Sequence, residues 1–257
     1  MIKIEPIKAF NDNYIWLVTT NEGLLVVDPG DAQPVMNYLN EIQGSLSDIL
    51  ITHHHYDHTG GVEALAEISA TKVYGPSESI FGGITHELKE GDTINVIGIE
   101  FSVLEIPGHT LDHIAYYAEN NGEPFVFCGD TLFAGGCGRV FEGTYEQMYE
   151  SLIKLKQLPS NTKVYCGHEY TKANLEFALE VESSNKKLLA RFKSCLESNK
   201  INEPTVPSLL QLELETNPFL RSDNTNLREC IMTKISTKNE LTDMEIFKAT
   251  REWKDNV

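Results

Sequence analysis

Four side chains able to bind a metal through nitrogen or oxygen, His53, His55, Asp57 and His58, crowd into Thr52-His-His-His-Tyr-Asp-His-Thr-Gly-Gly61, directly after the apolar run Ile49–Ile51. A chain can use them together only if a strand ends there and the backbone turns back on itself. Side chains of an extended segment alternate faces, so His53 and His55 point one way while His54 and Tyr56 point elsewhere. Asp57 and His58 then fall at the turn into a helix, where the reversal of the chain aims them at a neighbouring point. A histidine-rich surface loop has a similar composition, but the Asp-His pair, the Gly-Gly that follows and three remote partners count against it.

Those partners share one pattern: a strand, a glycine turn, then a donor. His109 lies in Ile106-Pro-Gly-His-Thr110, Asp130 in Cys128-Gly-Asp-Thr131 and His168 in Cys166-Gly-His-Glu169. Glycine before each donor lets backbone approach a metal without a Cβ clash, and strand ends place donors along one edge of a sheet. The set His53, His55, Asp57, His58, His109, Asp130 and His168 is too large for one tetrahedral ion and suits two divalent cations sharing a carboxylate. Imidazole and carboxylate without thiolate suit zinc, the first expectation, and also iron or manganese. The remaining histidines, His54, His86 and His113, read as structural or surface groups, with an outer-partner role open for His113. Asp28 reads as a turn cap, or as an acceptor for a ligating imidazole.

Elsewhere in the first two-thirds, short runs rich in Val, Ile, Phe and Tyr predict strands at Tyr14–Thr19, Leu24–Asp28, Ile49–Thr52, Lys72–Tyr74, Ile99–Ile106, Ile114–Ala118, Pro124–Cys128 and Lys163–Cys166. Helical spacing appears at Val35–Ile42 and Val62–Ile68, and Thr144-Tyr-Glu-Gln147 predicts a capping box ahead of a helix carrying Met148, Leu152 and Leu155. After Thr171 strand signals fade and Leu175, Ala178, Leu188, Phe192 and Leu196 recur at helical spacing. Asn202-Glu-Pro-Thr-Val-Pro207 predicts a rigid connector, and Thr242-Asp-Met-Glu245 starts a last helix. The expectation is an α/β domain over 1–170 that carries the donors and a helical domain over 171–257.

Bulk properties narrow the function. A chain of 257 residues, 41% hydrophobic and 23% charged, buries a full core. Its net charge of -17 repels phosphate backbones, so no nucleic-acid partner is expected. No run approaches a membrane span, and Lys3, Glu5 and Lys8 interrupt the apolar stretch a signal peptide needs; a monomeric cytoplasmic protein is expected. The five cysteines are widely spaced without a Cys-x-x-Cys pair, which predicts reduced thiols. Cys128, Cys137 and Cys166 are expected to be inert rather than nucleophilic, since two of them fall in core strands, where thiols are buried.

Taken together, His53-x-His55-x-Asp57-His58, Pro107-Gly-His109, Gly129-Asp130-Thr and Gly167-His168-Glu resemble the metallo-β-lactamase superfamily, which implies an αββα sandwich ahead of the helical C-terminal subdomain read above. Phe10-Asn-Asp-Asn-Tyr14, the stretch Gly129–Gly143 and Tyr165-Cys-Gly-His-Glu-Tyr170 are more specifically similar to the glyoxalase II family, and the resemblance runs along essentially the whole chain. It implies His53, His55 and His109 on one ion, Asp57, His58 and His168 on the other, and Asp130 as the bridge. It also implies hydrolysis of the thioester S-D-lactoylglutathione to D-lactate and glutathione, with Asp57 orienting the attacking solvent molecule. The matching substrate-binding positions are Arg139, Phe141, Tyr170, Arg251 and Lys254; some family members carry Lys at the first and Tyr at the second. A cationic rim of Arg139, Arg251 and Lys254 is the expected counterweight to the acidic surface. The alternatives are a glutathione persulfide dioxygenase using one iron, a tRNA-processing nuclease, a β-lactamase, and a metal-binding protein without turnover.

Overall fold

The structure is a computed structural model describing residues 2–69 and 71–257; Met1, where the N-terminal segment read above begins, lies outside them. The first sheet runs in the order β1 (Lys3–Ala9), β2 (Asn13–Thr19), β3 (Leu24–Val27), β4 (Asp48–Leu50), β5 (Lys72–Pro76) and β6 (His86–Leu88). From β3 to β6 it is parallel. Parallel neighbours need a crossover, which α1 (Ala32–Ile42) supplies between β3 and β4. The single turn α2 (Tyr56–Thr59) and α3 (Val62–Ser69) lie between β4 and β5.

The second sheet has the order β14 (Ser208–Leu209), β13 (Lys163–Cys166), β10 (Glu123–Gly129), β9 (Ile114–Asn120), β8 (Ile99–Glu105) and β7 (Thr93–Val96). Between β10 and β13 come a short hairpin, β11 (Leu132–Phe133) with β12 (Gly136–Cys137), and α4 (Tyr145–Lys156). The capping box opens α4 as its sequence predicts: Thr144 Oγ1 accepts from Gln147 N and Gln147 Oε1 accepts from Thr144 N.

Alternation along β2 shows how the layers stack. Tyr14, Trp16 and Val18 enter the core that also holds Phe101, Tyr116 and Phe127 of the second sheet, while Ile15 and Leu17 face Val35 and Leu65 of α1 and α3. A strand apolar on both sides belongs to a sheet covered on both faces. Met148, Leu152 and Leu155 of α4 join the larger core, completing an αββα sandwich. Trp16 Nε1 donates to Cys166 O at 2.9 Å, a hydrogen bond from one sheet to the other.

After Tyr170 come α5 (Thr171–Val181), α6 (Lys186–Lys200), α7 (Leu210–Thr216), α8 (Thr225–Lys234) and α9 (Asp243–Asp255), the last opened by the expected capping box at Thr242 and Glu245. This stretch is not purely helical, because β14 pairs with β13 at the edge of the second sheet. Among the described residues no helix is long and apolar enough to cross a membrane.

The strand β1 is absent from the sequence reading. Its charged residues and Pro6 obscure the strand pattern, yet Pro is admissible because β1 is an edge strand. The chain leaves β4, β8, β10 and β13 through the four segments that carry the candidate donors.

Candidate metal centre

The structure brings all seven candidate donors together. His55 Nδ1 lies 3.2 Å from His53 Nε2 and 3.0 Å from His109 Nε2. Asp57 Oδ2 lies 3.6 Å from His58 Nε2 and 3.4 Å from His168 Nε2. Between these triads stands Asp130, its Oδ1 3.4 Å from His58 Nε2 and its Oδ2 3.5 Å from His109 Nε2 and 3.2 Å from His168 Nε2. One carboxylate thus faces a nitrogen of each triad.

Outer partners aim the imidazoles. Carbonyl and carboxylate oxygens only accept, so a ring nitrogen bonded to one must carry the proton, leaving the other nitrogen's lone pair free. His109 Nδ1 donates to Arg139 O at 2.9 Å, His168 Nδ1 to Asp12 Oδ1 at 2.8 Å, and His58 Nδ1 to Asp28 Oδ2 at 3.1 Å. His53 follows by relay: Thr52 Oγ1 gives its proton to Asp28 Oδ2 at 2.7 Å, so it accepts from His53 Nδ1 at 3.0 Å. Four Nε2 atoms therefore point into the centre.

Close backbone approach accounts for two of the glycines. Gly129 has φ +45°, and a Cβ there would meet Thr52 Oγ1 at 2.4 Å; a Cβ on Gly167 would meet Asp130 Oδ1 at 2.5 Å and His58 Cε1 at 2.7 Å. Either methyl group would displace a donor or its support.

The donor set fits a pair of divalent cations. Among the described residues His58 Nε2 and Asp130 Oδ1 are buried without a hydrogen-bond partner, an arrangement that costs free energy unless a further group satisfies both. The local field also favours positive charge. Burial works against charging His58, yet Asp130 and Asp28 outweigh it and hold the imidazole well above its ordinary value. Burial likewise opposes the charged form of His168, but Asp130 and Asp57 raise it to about 10. At Asp130 burial pushes upward, and His58 and His168 still keep the carboxyl well below the usual range.

Asp28 spends its carboxylate on Thr52 and His58 rather than on a turn cap. With φ +53° it accepts from Thr52 N, Thr52 Oγ1 and His58 Nδ1, so the acceptor role is the one the structure bears out. His113, fully buried, accepts from Asp130 N at 3.0 Å and stacks on His53, while His54 turns away to Asp112 and Glu142. Two further residues, Asp12 and Asn13 of the segment Phe10–Tyr14, support the centre without any sign of it in their local sequence; Asn13 Nδ2 donates to Asp57 Oδ2 at 2.9 Å.

Beside the centre opens a cleft of about 600 Å³ lined by Asp130, Phe133, Cys137, Asn174 and all five expected substrate-binding residues. The ring of Tyr170 stacks on His168 at 4.7 Å, and that of Phe141, exposed, lies 5.2 Å from His109. Of the three cations expected to form a positive rim, Arg139 stands out into solvent. Arg251 does not: it is 2% exposed and donates to Cys137 O at 3.0 Å and Asp255 Oδ1 at 2.9 Å. Its guanidinium is committed to the cleft wall, and Asp255, also 3.7 Å from Arg139 Nε, ties the two arginines together. Lys254 donates to Asn174 Oδ1, and burial with the neighbouring Arg251 brings its ammonium down to about 8. The thiols of Cys128 and Cys137 are raised by burial, and that of Cys166 is pushed up to about 12, so none is a ready nucleophile.

The sequence model of the Metallo-beta-lactamase superfamily matches residues 10–168, and that of the Hydroxyacylglutathione hydrolase C-terminus matches residues 169–257. The chain is 47% identical over 259 residues to a hydroxyacylglutathione hydrolase of Idiomarina loihiensis, covering 100% of both chains. It is 48% identical over 258 residues to that of Pseudomonas paraeruginosa, covering 99% of each. Among solved structures it is similar to ETHE1 from Myxococcus xanthus (TM-score 0.65, 23% identity, 99% of this chain and 98% of that one), a likeness of fold alone. It is also similar to TTHA1623 in a di-iron-bound form (TM-score 0.61, 26% identity, 84% of this chain and 100% of that one). Full-length identity of this size, joined to both sequence models, leaves one assignment: the chain belongs to the metallo-β-lactamase superfamily and, within it, to the hydroxyacylglutathione hydrolase family.

Proposed function

We propose that this protein hydrolyses the thioester of S-D-lactoylglutathione, releasing D-lactate and glutathione, at a centre holding two divalent cations, zinc in the first instance. The observation that carries the reading is the meeting of two donor triads at Asp130, beside a cleft walled by Arg139, Arg251 and Lys254. His53, His55 and His109 would hold one cation and Asp57, His58 and His168 the other, with Asp130 shared. Such a pair supplies Lewis acidity toward a carbonyl oxygen and ionises water near neutral pH.

The protein's own groups supply orientation and binding. Asp57, steadied by Asn13 and His168, points a carboxylate oxygen at the centre and orients the attacking solvent molecule. Phe141 and Tyr170 flank the scissile bond with apolar surface, while Arg139 and Lys254 offer positive charge to the carboxylates of the glutathione moiety. A thiol of pKa ~8.5 leaves as thiolate without a strong acid beside it. In this reading residues 1–170 carry the chemistry, residues 171–257 help bind the substrate, and the protein works as a cytoplasmic monomer.

The deciding assay follows loss of the thioester of S-D-lactoylglutathione alongside elemental analysis. Turnover that disappears on chelation and returns with zinc is expected; no thioester turnover, with oxygen uptake on glutathione persulfide instead, overturns the reading. The family relatives and the two complete triads favour the hydrolase over that dioxygenase.

A second test concerns Lys254. Its ammonium, brought down to about 8, is charged below that pH and neutral above it, with Arg139, Arg251 and Asp255 as charged neighbours. KM for the anionic thioester is expected to rise as pH climbs from 7 to 9.5 through that value, with kcat nearly constant, and Lys254→Met is expected to flatten this limb. A KM limb unchanged in the variant would place the titration elsewhere.

A further inference from the structure

The tip joining β1 to β2 is stitched to the segment that follows β13. Tyr14 N donates to Gly167 O at 2.8 Å, Glu169 N donates to Asp12 O at 2.9 Å, and Tyr14 Oη donates to Glu169 Oε2 at 2.9 Å. The backbone of Asn13 bridges to His168 itself. The tip therefore holds His168 from both sides along the chain, and its position relative to the second sheet is fixed by backbone as well as side chains.

Two consecutive side chains on this tip then grip two different donors. Asp12 Oδ1 accepts from His168 Nδ1 at 2.8 Å, and Asn13 Nδ2 donates to both Asp57 Oδ2 at 2.9 Å and Asp57 O at 3.3 Å. His168 follows a strand of the second sheet and Asp57 follows a strand of the first, so one dipeptide spans donors delivered by both layers. Asn13 is 6% exposed, which leaves its amide little room for any other partner. The other triad takes its outer support elsewhere, His53 from Thr52 and His109 from Arg139 O.

We propose that Asp12 and Asn13 are positioning residues for the triad Asp57, His58 and His168, and that they govern retention of one cation while leaving the other untouched. Asp12 locks the His168 ring so that Nε2 faces the centre, and its negative charge strengthens that nitrogen as a donor. Asn13 holds the Asp57 carboxylate so that Oδ2 is presented rather than swung into solvent. The inference rests on the two-cation reading above and deepens it.

The test is a competition titration of zinc against a chromophoric chelator, on the metal-stripped full chain, for wild type, Asp12→Ala, Asn13→Ala and the near-isosteric Asp12→Asn. Melting of the metal-free proteins is recorded in parallel, because a purely structural role would move it. The expected result is a second zinc bound about 10- to 100-fold more weakly in each variant, with the first within about twofold of wild type and the metal-free melting unchanged. Two zinc ions bound as tightly as in wild type, equal weakening of both, or a melting loss that explains the weakening overturns the inference and leaves the two-cation reading standing. Wild type binding a single zinc ion overturns that reading, and the inference with it.

Discussion

Replacing Asp130 with alanine is expected to lower kcat/KM for the thioester by about 1000-fold or more, the scale of losing a preorganised electrostatic partner, and to abolish binding of two ions. This carboxylate is 6% exposed and lies within 3.5 Å of a nitrogen from each triad, whereas the Asp57 carboxylate faces only His58 and His168 of its own triad. Asp130→Asn keeps the shape and removes the charge, and it separates loss of the centre from loss of the fold. Kinetics with elemental analysis on both variants checks the prediction; either variant retaining two tightly held ions contradicts the shared role given to Asp130.

A large loss of stability is expected from a pair outside the donor set. Glu213 and Arg191 form a bidentate pair with side chains 0% and 6% exposed. Glu213 Oε2 also accepts from Gly135 N at 2.8 Å and Asn217 Nδ2 at 3.2 Å, and Asn217 donates in turn to Phe133 O and Gly136 O. Glu213→Ala strands a buried guanidinium and removes the anchor of the β11–β12 hairpin. Urea unfolding is expected to show a loss of about 3–5 kcal/mol, the cost of breaking a buried pair from one side. The double replacement Glu213→Leu with Arg191→Met is expected to recover much of it, since neither charge is then left unpaired. A loss under about 1 kcal/mol for Glu213→Ala would show that water reaches the pair and screens it. Because Phe133 and Cys137 line the cleft, the same variant is also expected to raise KM.

How much of this was legible in the sequence depended on range. Strands bounded by Gly, Pro or Asn and made of apolar residues were readable, and Lys163–Cys166 has the ends that its sequence predicts. The strands β6 and β7 are short and rich in polar residues, and β1 hides behind Lys3, Glu5 and Lys8 because an edge strand carries charge without cost. The donor set was legible because donors at a strand end sit next to the glycines that let them approach. Their supports were not: Asp12 lies 156 residues from His168 and Asn13 lies 44 from Asp57, and no local periodicity encodes a hydrogen bond of that span. The burial of Arg251 was hidden for a similar reason, since its place at the end of a polar helix suggests exposure while Cys137 O, to which it donates, is 114 residues away.

The most direct measurement is anomalous diffraction from crystals of the metal-loaded protein. Two peaks are expected, one within ligand distance of His53, His55 and His109, the other of Asp57, His58 and His168, with the Asp130 carboxylate between them. A single peak, or two peaks of which one lies out of reach of Asp130, contradicts the shared two-ion centre.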